Sequence, residues 1–310
     1  MPYLLLLHLL LAQNQPVFRS DFALVHVDAE VRQDGQPIAG LDAENFRVTD
    51  NGKPQTILYF GHEEEPLDMV LLFDARGAMR PDVKRVADAA HVALGDLHPA
   101  DHVAIMAIAR ADHDCRTDLI LDFTGDFESA EKSLGGDAFQ QEFEPRGWSC
   151  YDDSAIQKGL SDAARHLASQ PTGNRKRAII ILTDDKGTPA RAEVARDAVH
   201  DLWKADAVVL GVIVHSSGFA ICICPETYRG ARYDAGMTGG DILKTGDAVE
   251  ALREMIRRLR SRYSLYYALP QGRPGEERKI RVLLTPEAAK RNPRAMVRAR
   301  TGYVMPPAIH

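Results

Sequence analysis

The sequence predicts an α/β fold in which a doubly wound, mainly parallel sheet is inserted into a small β-sandwich formed by the N- and C-terminal segments. Three observations predict it. A continuous apolar run, residues 67–73, ends in Asp74 and is followed by a glycine-containing turn and a helix. Apolar runs and helical stripes then alternate up to residue 260, and both ends of the chain have β character. Asp74 is therefore expected at the carboxyl end of a buried parallel strand, where open α/β sheets bind ligands.

The N-terminal segment, residues 18–65, is predicted to supply one part of the sandwich. Residues 22–31 partly alternate between apolar and polar, as a half-buried strand does. Asp34-Gly35 and Asn51-Gly52 are hairpin signals, because a tight hairpin turn needs positive φ angles.

The middle of the chain, residues 66–260, alternates between strand and helix patterns. The predicted strands are residues 67–73, 103–109, 118–123, 178–182 and 207–214. Apolar stripes at helical spacing run between residues 83 and 97, 155 and 167, 194 and 203, and 249 and 259. Asp247 with Glu250 matches a capping box at the start of the last helix. This alternation predicts a parallel-dominated sheet with helices on both faces.

The C-terminal segment, residues 261–306, returns to β character. Strands are predicted over residues 263–269, 279–284 and 296–304. Each terminal β segment is too small to hold a core alone, so we expect the two to pack together into one sandwich around the inserted domain.

The composition and the motifs limit the classes of function that the chain can have. The chain has 310 residues, 45% apolar and 26% charged, which is the balance of an ordinary globular protein. Its formal net charge of −6 argues against a nucleic-acid binder. No Gly-x-Ser-x-Gly elbow, phosphate-binding loop or spaced nucleophile and base is present, so the sequence does not predict an enzyme or a small-molecule cofactor.

Residues 1–15 are predicted to be a signal peptide. The apolar run of residues 3–12 has the length of a secretory h-region and is shorter than the roughly 20 residues that span a membrane. A buried first strand and a misassigned start codon are the alternatives. No other segment has the length and apolarity of a transmembrane span. The sequence thus predicts a periplasmic, cell-envelope or secreted protein with no transmembrane segment in the mature chain.

Four cysteines, at positions 115, 150, 222 and 224, allow three full pairings. An even number fits an oxidising compartment. Cys115 follows a predicted strand and is expected on the same upper face as Cys150, which favours a Cys115–Cys150 disulfide.

Several motifs coincide with those of one family. They are Gln-Asp-Gly-Gln-Pro-Ile-Ala-Gly-Leu-Asp-Ala-Glu-Asn-Phe-Arg-Val over residues 33–48, Asp-Asn-Gly-Lys-Pro-Gln over 50–55, Met-Thr-Gly-Gly over 237–240 and Val-Arg-Ala-Arg-Thr-Gly-Tyr over 297–303. On these the chain resembles a bacterial von Willebrand factor A-related group, best known from acidobacteria, over nearly its whole length. The resemblance implies a von Willebrand A, Rossmann-like domain within the sandwich.

In that family three loops of the A domain bind Mg²⁺ or Mn²⁺. The resemblance places Asp74 at the first-loop aspartate and Asp184 at the third-loop aspartate, so these two are the candidate metal ligands. The two first-loop serine positions hold Arg76 and Ala78. The first loop thus lacks both of its hydroxyl ligands.

The second-loop threonine position holds Trp148, with Ser149 one residue further on. Three of five expected ligands are therefore missing, and the resemblance implies a degenerate metal site. We hypothesise that the Arg76 guanidinium replaces the cation and bridges the two carboxylates. Accordingly no cofactor is expected, with Mg²⁺ or Mn²⁺ as the alternative.

The sequence therefore predicts a non-catalytic protein–protein interaction or scaffolding module whose protein partner it does not name. The predicted binding face comprises Asp74, Arg76, Ala78, Trp148, Ser149, Asp152, Asp184 and Asp185. One alternative is a metal-dependent adhesion protein with atypical ligands, which divalent-ion dependence would reveal. The other is an envelope enzyme with an unrecognised site, which activity screening of Asp74 and Asp184 variants would reveal.

Overall fold

The computed structural model describes most of the chain. The described residues are 23–62, 65–76, 79, 82–111, 114–135, 154–171, 173–185, 190–215 and 230–307. The predicted signal peptide, Cys150 and four residues of the predicted binding face lie outside these ranges; the four are Ala78, Trp148, Ser149 and Asp152. Within the ranges, no helix combines the length and the apolarity that crossing a membrane requires.

Strands and helices follow one another in the predicted order. The strands are β1 (Leu24–Gln33), β2 (Gln36–Pro37), β3 (Phe46–Asp50), β4 (Lys53–Gln55), β5 (Ile57–His62), β6 (Leu67–Asp74), β7 (His102–Ala111), β8 (Asp114–Thr124), β9 (Lys176–Thr183), β10 (Ala207–Val214), β11 (Ile242–Thr245), β12 (Tyr263–Ala268), β13 (Glu277–Leu284), β14 (Met296–Ala299) and β15 (Gly302–Val304). The helices are α1 (Val83–Leu94), α2 (Phe127–Gly135), α3 (Ala155–Ala168), α4 (Ala192–Lys204), α5 (Ala231–Thr238), α6 (Ala248–Arg260) and α7 (Pro286–Arg291).

A six-stranded sheet forms the centre of the α/β part. Its order is β11-β10-β9-β6-β7-β8, and every neighbouring pair is parallel except the β7–β8 hairpin. Strands β6, β9 and β10 are buried along their whole length. Burial on both faces explains why these strands are continuous apolar runs in the sequence.

Helices cover both faces of this sheet. Helices α1, α2 and α6 pack over one face, and α3, α4 and α5 pack over the other. Four of them follow the predicted apolar stripes, and the Asp247 side chain caps α6 by accepting a hydrogen bond from the Glu250 N–H at 3.1 Å. The predicted doubly wound architecture is confirmed.

The terminal segments form the predicted sandwich. One sheet has the order β14-β1-β12-β5 with β2 paired to β1, and the other has the order β15-β13-β3-β4. Strand β1 pairs with β12, and β3 pairs with β13, so the two ends of the chain share both sheets. Both predicted hairpin turns have positive φ, at 51° and 81° for Asp34-Gly35 and at 47° and 79° for Asn51-Gly52.

Two predicted strands differ from the structure. The predicted strand 296–304 is two strands in different sheets, because Arg300 and Thr301 turn toward the α/β part, where the Thr301 N–H donates to the Met237 carbonyl at 3.0 Å. The predicted strand 118–123 extends from Asp114 to Thr124, so Cys115 lies within β8 rather than before it. Cys115 is disulfide-bonded. The other three cysteines lie outside the described residues. The predicted pairing of Cys115 with Cys150 therefore stays a prediction.

A partly buried cluster of charged groups joins the sandwich to the α/β part. We call His26, Asp28, Asp206 and Arg300 the junction cluster. The His26 ring contacts Asp206 through Nδ1 and lies 3.5 Å from Asp28 Oδ1 through Nε2. Arg300 Nη1 lies 3.1 Å from Asp206 Oδ1, and the Tyr266 ring stacks on His26 with centroids 4.6 Å apart. Groups from β1, β12 and the turn after β14 thus converge on Asp206, which lies between α4 and β10.

A backbone-to-backbone contact reinforces this junction. Gly239 ends α5 in the left-handed region, with φ at 78°. A Cβ built on Gly239 would lie 2.2 Å from the Ala299 carbonyl carbon and 2.5 Å from the Arg300 nitrogen. Only glycine allows this approach, because both neighbours are main-chain atoms of the sandwich.

We expect Gly239→Ala to lower the free energy of unfolding by about 2–5 kcal/mol, since left-handed strain and overpacking add. Gly35→Ala is a matched control, because Gly35 has φ of 81° and no atom within 4 Å of its Cβ position. The control should show only the strain, about 1–2 kcal/mol. Urea denaturation of both variants measures the difference, and equal losses would show that the contact with Ala299 contributes nothing.

Candidate functional site

Two neighbouring parallel strands end side by side at the carboxyl edge of the central sheet. Phe73 of β6 is in register with Leu182 of β9, so Asp74 and Thr183 come next on adjacent strands. Both are buried, at 2% and 0% exposure. The Thr183 hydroxyl donates to Asp74 Oδ2 at 2.6 Å. This contact ties the first and third loops of the edge together.

The Arg76 guanidinium lies on the same carboxylate. Its Nε donates to Asp74 Oδ1 at 2.8 Å and its Nη2 donates to Oδ2 at 2.9 Å. The Arg76 backbone N–H adds a third bond to Oδ1 at 3.2 Å. Fork-shaped pairs of this kind are among the stronger hydrogen-bonded contacts in proteins. With the Thr183 hydroxyl, Asp74 therefore accepts four hydrogen bonds.

Asp185 contacts the start of helix α5. Its backbone lies in the left-handed region, with φ of 52°, which aspartate tolerates better than most residues. Its N–H donates to the Thr183 hydroxyl oxygen at 2.9 Å, and its Oδ1 accepts the N–H of Ala231 at 2.9 Å. Asp185 thereby joins the end of β9 to the start of α5.

The pKa of Asp185 is raised to about 6. Burial is the main cause, because it disfavours the charged carboxylate. The bond from Ala231 and the charge of Arg232 oppose the shift, and the charges of Asp74 and Asp184 add to it. Asp184 thus lies close enough to these carboxyls to influence them.

Asp234 is a neighbour of this edge that sequence analysis missed. It lies in α5, is fully buried, and accepts a hydrogen bond from Gln157 Nε2 at 3.0 Å. Burial, and secondarily the charge of Asp185, raise its pKa to about 7. The signal that could have found it is an aspartate on the same helical face as two small residues, Ala231 and Ala235, both of which are buried.

The structure thus brings together four of the predicted binding-face residues: Asp74, Arg76, Asp184 and Asp185. It adds Thr183 as the bridging hydroxyl and Asp234 behind the edge. The other four predicted residues lie outside the described ranges.

These residues do not fit a divalent cation bound through Asp74. Mg²⁺ and Mn²⁺ need free carboxylate and hydroxyl oxygens, and both Asp74 oxygens are bonded to Arg76. The fixed positive charge of Arg76 would also repel a cation at this position. No group of three or more His, Cys, Asp or Glu residues in the described part of the chain is arranged to hold a metal ion.

Comparisons with known proteins give matches among solved structures alone. No family model matches the chain, and no curated protein matches it. A von Willebrand factor type A protein from Catenulispora acidiphila is 13% identical over 94% of this chain and 76% of its own, with a TM-score of 0.47. An aerotolerance-related membrane protein from Bacteroides fragilis is 16% identical over 62% of this chain and 98% of its own, with a TM-score of 0.43.

The open conformation of the pilus adhesin SpaC from Lactobacillus rhamnosus GG is 11% identical over 90% of this chain and 48% of its own, with a TM-score of 0.40. Similarity at these levels transfers no function.

Proposed function

We propose that this chain is a non-catalytic protein-interaction module that binds its partner without a metal ion. The Arg76–Asp74 fork is the observation that carries the proposal. It gives the carboxyl edge a charge-compensated structure that is complete without a cation. The binding surface is the predicted face, of which Asp74, Arg76, Asp184 and Asp185 lie in the described residues, while Trp148 lies outside them.

The ion pair between Arg76 and Asp74 preorganises the backbone that follows β6. The Arg76 side chain is 12% exposed and donates two hydrogen bonds to the Asp74 carboxylate, and the Arg76 backbone N–H donates a third. A loop held in this way loses little conformational entropy when a partner binds. A metal-dependent site would instead need the ion, and often a ligand from the partner, to complete it.

We further propose a periplasmic, cell-envelope or secreted location. The predicted signal peptide and the disulfide at Cys115 support it, because disulfides persist in oxidising compartments.

Calorimetric titration with Mg²⁺ and Mn²⁺ tests the proposal. The chain without residues 1–15 should show no binding heat and no thermal stabilisation at millimolar ion concentrations. Arg76→Ser alone should not create tight binding, because position 78 still lacks a hydroxyl. Arg76→Ser combined with Ala78→Ser is the matched gain-of-function control and should bind more tightly than either the single variant or the natural chain.

Micromolar binding by the natural chain would contradict the proposal and would establish the metal-dependent adhesion alternative. A hydrolytic or transfer activity that Asp74→Asn abolishes would contradict the non-catalytic part.

A further inference from the structure

The outer face of the β15-β13-β3-β4 sheet carries three exposed cations. Strand β13 alternates strictly, so Lys279, Arg281 and Leu283 point outward while the residues between them are buried. On β3, Arg47 is exposed between buried Phe46 and buried Val48. We call Arg47, Thr49, Lys279, Arg281 and Leu283 the basic face.

The strand register clusters these charges. Arg281 lies opposite Thr49, and Leu283 lies opposite Arg47. Arg47 is therefore diagonal to Arg281, and Lys279 lies two residues along the same strand. Like charges in such positions repel one another. Both strands are central in their sheet, so the face is not an edge.

Some exposed cations elsewhere in the described residues are paired with carboxylates. Lys84 pairs with Asp88 at 2.9 Å, and Lys132 pairs with Glu128 at 2.7 Å. Arg257 contacts two glutamates, the nearer at 2.7 Å.

Within the described ranges no carboxylate forms an ion pair with Arg47, Lys279 or Arg281, and these three cations share one face of the sheet. The acid on their own strand, Glu277, contacts His200 at 2.8 Å instead. In a chain of net charge −6, this is a local positive excess.

We propose that the basic face docks an acidic polypeptide segment of a partner protein. Two guanidinium forks on one face match carboxylates geometrically. Leu283 is 43% exposed directly opposite Arg47 and supplies an apolar contact within the charged patch. Three cations are few for retention on an anionic membrane, where each basic residue contributes only a small increment. Charge complementarity therefore favours a protein partner.

A fluorescein-labelled peptide of alternating glutamate and threonine is the probe, and fluorescence anisotropy at low salt is the readout. Arg47→Glu with Arg281→Glu should weaken binding roughly tenfold or more, and added salt should weaken binding by the natural chain. Arg191→Glu with Arg196→Glu is the matched control, since it makes the same change in net charge at two exposed positions, the N-cap of α4 and a residue within α4. The control should change binding less than about twofold.

Three outcomes would overturn the proposal. They are no peptide binding by the natural chain, an equal loss in both double variants, and binding to phosphatidylglycerol vesicles in place of the peptide. Arg47→Gln with Arg281→Gln removes both charges without reversing them. If its thermal unfolding is unchanged, weaker peptide binding reflects the lost charges rather than unfolding. This face lies on the sandwich and does not include the carboxyl edge, so its test is independent of the metal titration.

Discussion

Replacing Asp50 by alanine is expected to lower the free energy of unfolding by about 3–5 kcal/mol, because it leaves a buried cation short of its main partner. Asp50 ends β3 and has no exposed surface. Its Oδ1 accepts the Arg278 Nε–H at 2.7 Å. Its Oδ2 accepts the hydroxyls of Tyr267 at 2.8 Å and Tyr303 at 2.9 Å. One carboxylate therefore holds three donors inside the sandwich.

The two tyrosines remain protonated donors over the whole practical pH range. Burial, and then the adjacent Asp50 carboxylate, hold the pKa of Tyr267 far above its usual value. Burial and the hydrogen bond to Asp50 raise the pKa of Tyr303 in the same way. Loss of the carboxylate would leave both hydroxyls without their acceptor, and each buried unsatisfied group costs about 1–3 kcal/mol.

Urea denaturation measures the effect. Tyr303→Phe is the matched control, because it removes one donor and leaves the ion pair with Arg278, and it should cost only about 1 kcal/mol. Arg278 also lies 3.3 Å from Glu276, which places the Asp50→Ala loss toward the lower end of its range. A loss no greater than that of Tyr303→Phe would show that the ion pair adds nothing to the two hydroxyl bonds.

Asp50 also shows what the sequence motifs do physically. It belongs to the Asp-Asn-Gly motif near the start of the chain, and Tyr303 belongs to the Arg-Thr-Gly-Tyr motif near its end. The Tyr303 hydroxyl donates a hydrogen bond to Asp50 and so joins the two motifs. Gly239, from the Thr-Gly-Gly motif, packs against Ala299 of the same C-terminal motif. Motifs that are far apart in the sequence are therefore joined by direct contacts.

Five of the six strands of the central sheet and both hairpins of the sandwich could be predicted, because their signals are local. Strands buried on both faces need continuous apolar runs, and the hairpins at Asp34-Gly35 and Asn51-Gly52 need residues that tolerate positive φ. The break between β14 and β15 could not be predicted. It depends on contacts of Arg300 and Thr301 with Trp203 and Met237, far away along the chain.

Part of the candidate site could be predicted in the same way. Adjacent parallel strands end at the same edge, so Asp74 and Asp184 were expected there with Arg76 bridging their carboxylates. The structure has Arg76 on Asp74, and its contact with Asp184 stays a prediction. The direction of Asp185 was not predictable, because it depends on one left-handed φ angle. Helix α5, whose first residue Ala231 donates a hydrogen bond to Asp185, has eight residues and too few apolar positions to show an apolar stripe in the sequence.

His26 is expected to make the stability of the protein fall as pH rises from about 6.5 to about 10. Burial alone would lower the pKa of His26, but the charges of Asp206 and Asp28 outweigh it and raise the pKa to about 10. Below about pH 6.5 the ring is protonated in the folded and unfolded chains alike, and the stabilisation is fully present. Between the two values only the folded chain holds the proton, so each rise in pH removes part of the stabilisation.

The expected loss across this range is about 2–4 kcal/mol. The two pKa values correspond to an upper limit near 5 kcal/mol, at about 1.4 kcal/mol for each tenfold change. Solvent screening reduces it, since the Asp206 side chain is 35% exposed. Asp28 acts in the opposite direction at low pH. Burial favours its neutral form, but the charge of His26 outweighs burial and holds its pKa well below the usual range, so its contribution is lost only under strong acid.

Urea denaturation at about pH 6 and about pH 9.5 measures the loss, and the comparison with His26→Gln isolates it from other titrating groups. The natural chain should be more stable than His26→Gln at the lower pH, and the two should converge at the higher. Asp206→Asn is the second control. It removes the largest attraction that retains the proton and should reduce the pH dependence while leaving the Tyr266 stacking partner in place. A constant difference between the natural chain and His26→Gln at both pH values would mean that His26 stabilises the junction through packing rather than through its charge.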